Sequence, residues 1–209
     1  MAGIDAQWEA DLADMQGIAR QNGGMRYLLT VIDLFSKFAW AVLVHSTDAK
    51  AITVAFDEVL TAAHPRHLRR LQTDKGKEFF NSEFAGLMKR HGIEHVASES
   101  EQKAAVVERF NRTIKHRIFT YLSDRGTVRW VDVIQHLMVS YNHSRHRSIG
   151  MAPVDVRRRT KTASGCSYTG TVTLTLSHLF PMEQWCGSAR KRPSLTRDTC
   201  PTGPRSTLR

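Results

Sequence analysis

Three acidic residues interrupt otherwise apolar segments of this 209-residue chain. Asp11 closes Trp-Glu-Ala-Asp (8–11), Asp74 stands in Leu-Gln-Thr-Asp-Lys-Gly-Lys-Glu-Phe (71–79), and Glu108 in Ala-Val-Val-Glu-Arg-Phe-Asn-Arg (105–112). Carboxylates brought together repel one another and raise each other's pKa. A hard divalent cation removes that conflict. Mg²⁺, or Mn²⁺ in its place, takes oxygen ligands and keeps several waters. Two such ions would stabilise the entering and leaving oxygens of an in-line displacement at phosphorus. Each residue also has a plain reading. Asp11 fits an exposed strand position with Asp14 as a rival ligand, Asp74 fits turn chemistry, and Glu108 fits a solvated helix face. The chemistry rests on the three being placed together.

Glu108, Arg112 and Lys115 fall at i, i+4 and i+7, within about 60° of one another on a helix. Val107, Phe110, Ile114, Ile118 and Tyr121 occupy a different, apolar face. The bland explanation is an i,i+4 ion pair; the functional one is a pair of cations that hold a phosphate backbone beside a metal site.

The elements needed to position these groups are legible in the chain. Trp8 to Asp14 alternates apolar and polar, as a half-buried strand does. Met25–Asp33 and Phe38–Val44 are two apolar, β-branched and aromatic runs joined by Leu-Phe-Ser-Lys, a hairpin signal. Ile52, Ala55, Phe56, Val59, Leu60 and Ala63 make one helical stripe that stops at His64-Pro65. Leu68–Thr73 reads as a strand, then a helix capped by Asn81 or Ser82 and ended by Gly92. Ile93–Ala97 is another strand, followed by helices over about 102–122 and 129–143. The order β-β-β-α-β-α-β-α-α implies an α/β fold with a mixed sheet, in which the first and fourth strands can be neighbours.

Composition sets the limits. A 41% hydrophobic fraction supports a core, and thirty Lys+Arg against twenty Asp+Glu give a net charge of +10, which points to a polyanionic partner such as nucleic acid. The most apolar stretch, Leu28 to Val44, is broken by Asp33 and Lys37 and is too short to span a bilayer, so no membrane association is expected. The first residues show no basic-plus-apolar segment with a cleavage site, so a non-secreted protein is expected. Cys166, Cys186 and Cys200 form no CxxC pair, and none accompanies the close pairs His64/His67 and His143/His146, which argues against zinc. Residues 160–209 hold all three Cys, four of the six Pro and ten Thr, with no helical periodicity. Residues 1–159 therefore read as the domain and 160–209 as a basic, disordered tail.

Taken together, residues 8–11, 31–37, 72–79, 106–112 and Tyr-Asn-His-Ser-Arg-His-Arg-Ser-Ile-Gly-Met-Ala-Pro (141–153) resemble the catalytic core of retroviral-type integrases. The nearest likeness is to integrases of self-synthesising DNA transposons of the Polinton/Maverick type. The resemblance covers about residues 8–156 and implies a ribonuclease H-like sheet flanked by helices. It also implies metal-dependent cutting and joining of DNA, in which 3′ ends are processed and then attack target phosphodiesters. Asp11, Asp74 and Glu108 match the family's catalytic, metal-binding Asp-Asp-Glu triad, with 33 residues between the second and third members. Arg112 and Lys115 match helix positions where the family carries DNA-contacting basic residues, and Lys103, in the preceding loop, joins them as a DNA-binding candidate. Asp33 matches a structural position, and Tyr141 and Asn142 are expected to pack the last helix. A homo-oligomer follows from the need to join two ends in concert, and a nuclear location from the DNA substrate.

The family's zinc-binding module and its C-terminal DNA-binding module are not recognisable here, and the likeness stops after Val156. Thr-Lys-Thr-Ala-Ser-Gly (160–165), shifted by one nucleotide, can be encoded by the same bases as Asp-Glu-Asp-Arg-Val-Trp, a family-like continuation. The hypothesis that the tail is read in a shifted frame fails if the neighbouring genomic frame holds stop codons. Two rival functions stand beside the strand transferase. One is an inactive or domesticated DNA-binding remnant; the other is a nuclease acting on RNA–DNA hybrids.

Overall fold

The computed structural model describes residues 3–98 and 105–156. The expected boundary at 159/160 and the tail beyond it lie outside the described residues. Five strands form one mixed sheet: β1 (Gln7–Asp14), β2 (Tyr27–Asp33), β3 (Ala39–Val44), β4 (Arg70–Thr73) and β5 (Glu94–Ala97). Their spatial order is β3-β2-β1-β4-β5. β1 to β3 form an antiparallel meander, while β4 and β5 add to β1 in parallel. Helices α1 (Ala49–Ala63), α2 (Ser82–His91), α3 (Ala105–Arg125) and α4 (Ile134–His143) flank the sheet. The element order matches the sequence reading, and the fold is ribonuclease H-like.

Sequence explains most of the ends. Asn81 accepts the amide of Phe84 at 2.8 Å and so caps α2. Gly92 closes α2 with φ +65°, a left-handed conformation that suits glycine. Trp8, Ala10, Trp40, Ile52, Phe56, Val59, Phe84 and Leu87 fill one side of the sheet against α1 and α2. Leu28, Ile32, Phe110, Ile114, Ile118, Trp130 and Met138 fill the other, against α3 and α4. Trp8, Trp130 and Phe56 are fully enclosed, positions where truncation to Ala costs about 3–5 kcal/mol.

Two expectations need correction. β1 is not half-buried. It is the central strand, and the face carrying Glu9, Asp11 and Ala13 is covered by α3, so Glu9 is only 5% exposed. The last helix begins at Ile134 rather than near residue 129. Trp130 is drawn into the core, and its amide donates to Asn22 Oδ1 at 2.7 Å, which takes the preceding residues out of helical geometry.

The hairpin turn is built around a buried charge. Asp33 accepts from the Ser36 amide and hydroxyl and from the Arg66 guanidinium at 2.8 Å. Arg66 also pairs with Asp5 at 2.7 Å and lies over the rings of Phe38 and Trp40. The structural role expected for Asp33 thus has a physical content: it ties the β2–β3 turn to the segment after α1.

Candidate active site

Parallel pairing sets two of the three carboxylates side by side. Glu9 of β1 is in register with Gln72 of β4. Asp11 and Asp74 each lie two residues further on, so both stand toward the C-terminal end of this parallel pair. Asp11 is half-buried, and its oxygens are held: Oδ1 accepts from the Leu12 amide at 2.8 Å and Oδ2 from Asn111 Nδ2 at 2.7 Å. Asp74 is exposed at the start of the turn, its Oδ1 accepting from the Gly76 amide at 3.4 Å. Glu108 is exposed on the first turn of α3, one turn before Asn111.

Burial is the main force pushing the Asp11 carboxyl above the usual aspartate range, and the charges of Asp74 and Glu108 push it the same way. The Leu12 amide and Asn111 oppose the rise. All three acids therefore share one electrostatic neighbourhood. Asp14 does not join them. It points from the other face of β1 and accepts the Gln16 amide at 2.9 Å.

Sequence reasoning missed two residues that position this site. Asn111 is buried, and its Oδ1 accepts the Thr30 hydroxyl at 2.7 Å while its Nδ2 serves Asp11. One side chain thus links β2, β1 and α3. Glu9 accepts the Val107 amide at 3.0 Å, satisfying one of the donors a helix N-terminus leaves open. Burial pushes the Glu9 carboxyl up, while the amides of Val107 and Val106 and the Lys37 ammonium pull it down. The available signal was two acids on one face of a strand otherwise rich in buried residues.

Arg112 is exposed and Lys115 partly buried on α3, whereas Lys103 lies outside the described residues. Arg109, Arg112, Thr113 and His116 line an open depression along the helix. Of the apolar set, Val107, Phe110, Ile114 and Ile118 are buried and Tyr121 is half-buried. Tyr141 and Asn142 pack: Tyr141 meets Phe110 edge-on at 4.9 Å, and Asn142 bonds both the amide and the carbonyl of Ala39. That contact covers the outer edge of β3.

Residues 4–103 match the family model of the integrase core domain. Over that stretch the chain is similar to an integrase core. A transposon-derived protein of Caenorhabditis elegans is 33% identical over 144 residues, which are 69% of this chain and 50% of that protein. An insertion-element transposase of Escherichia coli is 26% identical over 163 residues, covering 74% of this chain and 55% of that one. The chain spans about half the length of these two relatives. Among solved structures, the HTLV-2 integrase catalytic core domain in complex with magnesium superposes with a TM-score of 0.62 at 18% identity, covering 75% of this chain and 98% of that one. A chain of the simian T-cell lymphotropic virus intasome in complex with a PP2A regulatory subunit gives 0.66 at 15% identity, covering 81% of this chain and 62% of that one. At such identities the likeness is one of fold.

The donor set of this domain suits a hard cation: three carboxylates, one of them destabilised as an anion by burial and by the other two. In this conformation no three His, Cys, Asp or Glu among the described residues converge closely enough to hold one ion. Asp11 is held by its hydrogen bonds, whereas the side chains of Asp74 and Glu108 are exposed.

Proposed function

We propose that this domain is a transposon DNA strand transferase and endonuclease that processes 3′ ends and joins them to target DNA with two divalent metal ions. The observation that carries the proposal is the shared neighbourhood of Asp11, Asp74 and Glu108, anchored by Asn111. These three would hold Mg²⁺ or Mn²⁺, which when bound stabilises charge on the entering and leaving oxygens. Asn111 and the Leu12 amide hold the Asp11 carboxylate in one orientation. Glu9 pins the start of α3, and with it the height at which Glu108 stands.

Arg112, Lys115 and Lys103 would hold the phosphodiester backbone, which makes binding steeply salt-dependent and weakly sequence-specific. We assign the element to the Polinton/Maverick type on its sequence motifs. The active form would be a homo-oligomer, in keeping with the dimeric and trimeric forms described for the HTLV-2 core, and its place of action the nucleus. No helix among the described residues is long and apolar enough to cross a membrane.

The rival reading is an inactive or domesticated DNA-binding remnant. An oligonucleotide cleavage and joining assay with Mg²⁺ or Mn²⁺ separates the two, using the element's terminal sequences and comparing wild type with Glu108→Gln. Metal-dependent joined products that vanish in the variant are the expected result. Hydrolysis without joining would favour a nuclease. Inert but DNA-binding protein, wild type and variant alike, would favour the remnant.

A further inference from the structure

Helix α3 carries charge on two flanks. Thr113 lies about 140° around the helix from Glu108, and with Arg109 and Arg117 it walls a cleft of about 290 Å³ away from the carboxylates. The facing wall is the 144–148 segment after α4, with Arg145, His146 and Arg147, and Lys37 of the β2–β3 turn closes one end. Five basic side chains thus surround one crevice. Among the described residues, Lys37, Arg109, Arg117, Arg145 and Arg147 make no ion pair with a carboxylate.

Two acids, Glu9 and Asp33, act on Lys37, and both are committed elsewhere: Glu9 to the Val107 amide and Asp33 to Arg66. The positive potential is felt by His146, which is pushed down by burial and by Lys37 and Arg109. Polar groups also line the crevice. Ser148 Oγ sits 3.0 Å from His146 Nδ1, and Thr113 and Ser144 lie along the walls. Guanidinium forks with hydroxyls beside them are a phosphate-binding chemistry. The motif at 141–153 supplies one wall, so its Arg-His-Arg run does more than close a turn.

We propose that this cleft binds a stretch of duplex phosphodiester backbone separate from the strand held at the carboxylates. The inference rests on the nucleic-acid reading above but not on catalysis. The full chain, without divalent metal, is titrated into a labelled duplex oligonucleotide over a series of salt concentrations. Each phosphate contact contributes about 0.9 to the slope of log affinity against log salt.

Removing two cleft cations in Arg145→Gln/Arg147→Gln is expected to weaken binding and make that slope shallower by about 1.8. Arg147→Gln alone, on an exposed loop, gives about half that shift and guards against misfolding of the double variant. If the slope is unchanged in both while Arg112→Gln/Lys115→Gln lowers it, the cleft proposal is overturned and the integrase reading stands. If wild type binds no duplex, both fall. If poly-glutamate binds and duplex does not displace it, the cleft takes an acidic polypeptide and the proposal is overturned.

Discussion

Asn111 Nδ2 lies 2.7 Å from Asp11 Oδ2, and the same side chain accepts the Thr30 hydroxyl at 2.7 Å. A buried amide on α3 therefore orients a carboxylate on β1 and is itself oriented by β2. Replacing it with Leu strips one Asp11 oxygen of its partner and leaves the Thr30 hydroxyl only the longer bond to the Asp11 carbonyl at 3.1 Å. Such a buried loss costs about 1–3 kcal/mol, read as a lower denaturation midpoint. Activity should fall further than stability explains, because Asp11 loses its fixed orientation. An Asn111→Leu protein with wild-type activity would contradict this role.

Glu9 offers a pH test. Its folded pKa lies above the usual glutamate value, chiefly through burial. The stability linked to that shift is present below the unfolded pKa and is lost as pH rises through the folded one. Glu9→Gln keeps an acceptor for Val107 but cannot ionise. The stability of wild type minus that of Glu9→Gln should therefore decline with rising pH across the mildly acidic range, measured by chemical denaturation. Parallel curves would show that Glu9 does not titrate as described.

Asp11 should respond to its neighbours. Asp74 raises its pKa by charge, so Asp74→Asn should lower the Asp11 pKa in the metal-free protein. A carbon-13 NMR titration of the Asp11 carboxyl reads this directly. No change would mean that the two carboxylates do not sense each other across β1 and β4.

Arg66 is the structural counterpart at the other end of the strand. Arg66→Met would leave Asp33, which is fully buried, without its guanidinium. Breaking a buried pair from one side costs about 3–5 kcal/mol, and a loss of that order in denaturant unfolding is expected. Pairing this change with Asp33→Asn should recover part of the loss.

The layout was readable because local rules and tertiary structure agree. The strand alternations, the α1 stripe, the Asn81 cap and Gly92 each have a local cause, and the order of elements brings β1 beside β4. The unread features come from partners distant in sequence. Glu9 meets Val107, Arg66 meets Asp33, and Asn22 holds Trp130, all across long chain separations. The start of α4 was misplaced for that reason, since helical spacing continues through residues whose amides Asn22 has claimed. Asn111 lay in plain sight within the Glu-Arg-Phe-Asn motif, yet its partner could be named only once β1 and β2 were placed.

The central claim is that Asp11, Asp74 and Glu108 act as one cation site. Mn²⁺ titration followed by electron paramagnetic resonance tests it without needing substrate. Wild type should bind the ion, and Asp11→Asn, Asp74→Asn and Glu108→Gln should each weaken binding while the fold is retained. Mn²⁺ bound equally well by all four proteins, or by none, would contradict the account.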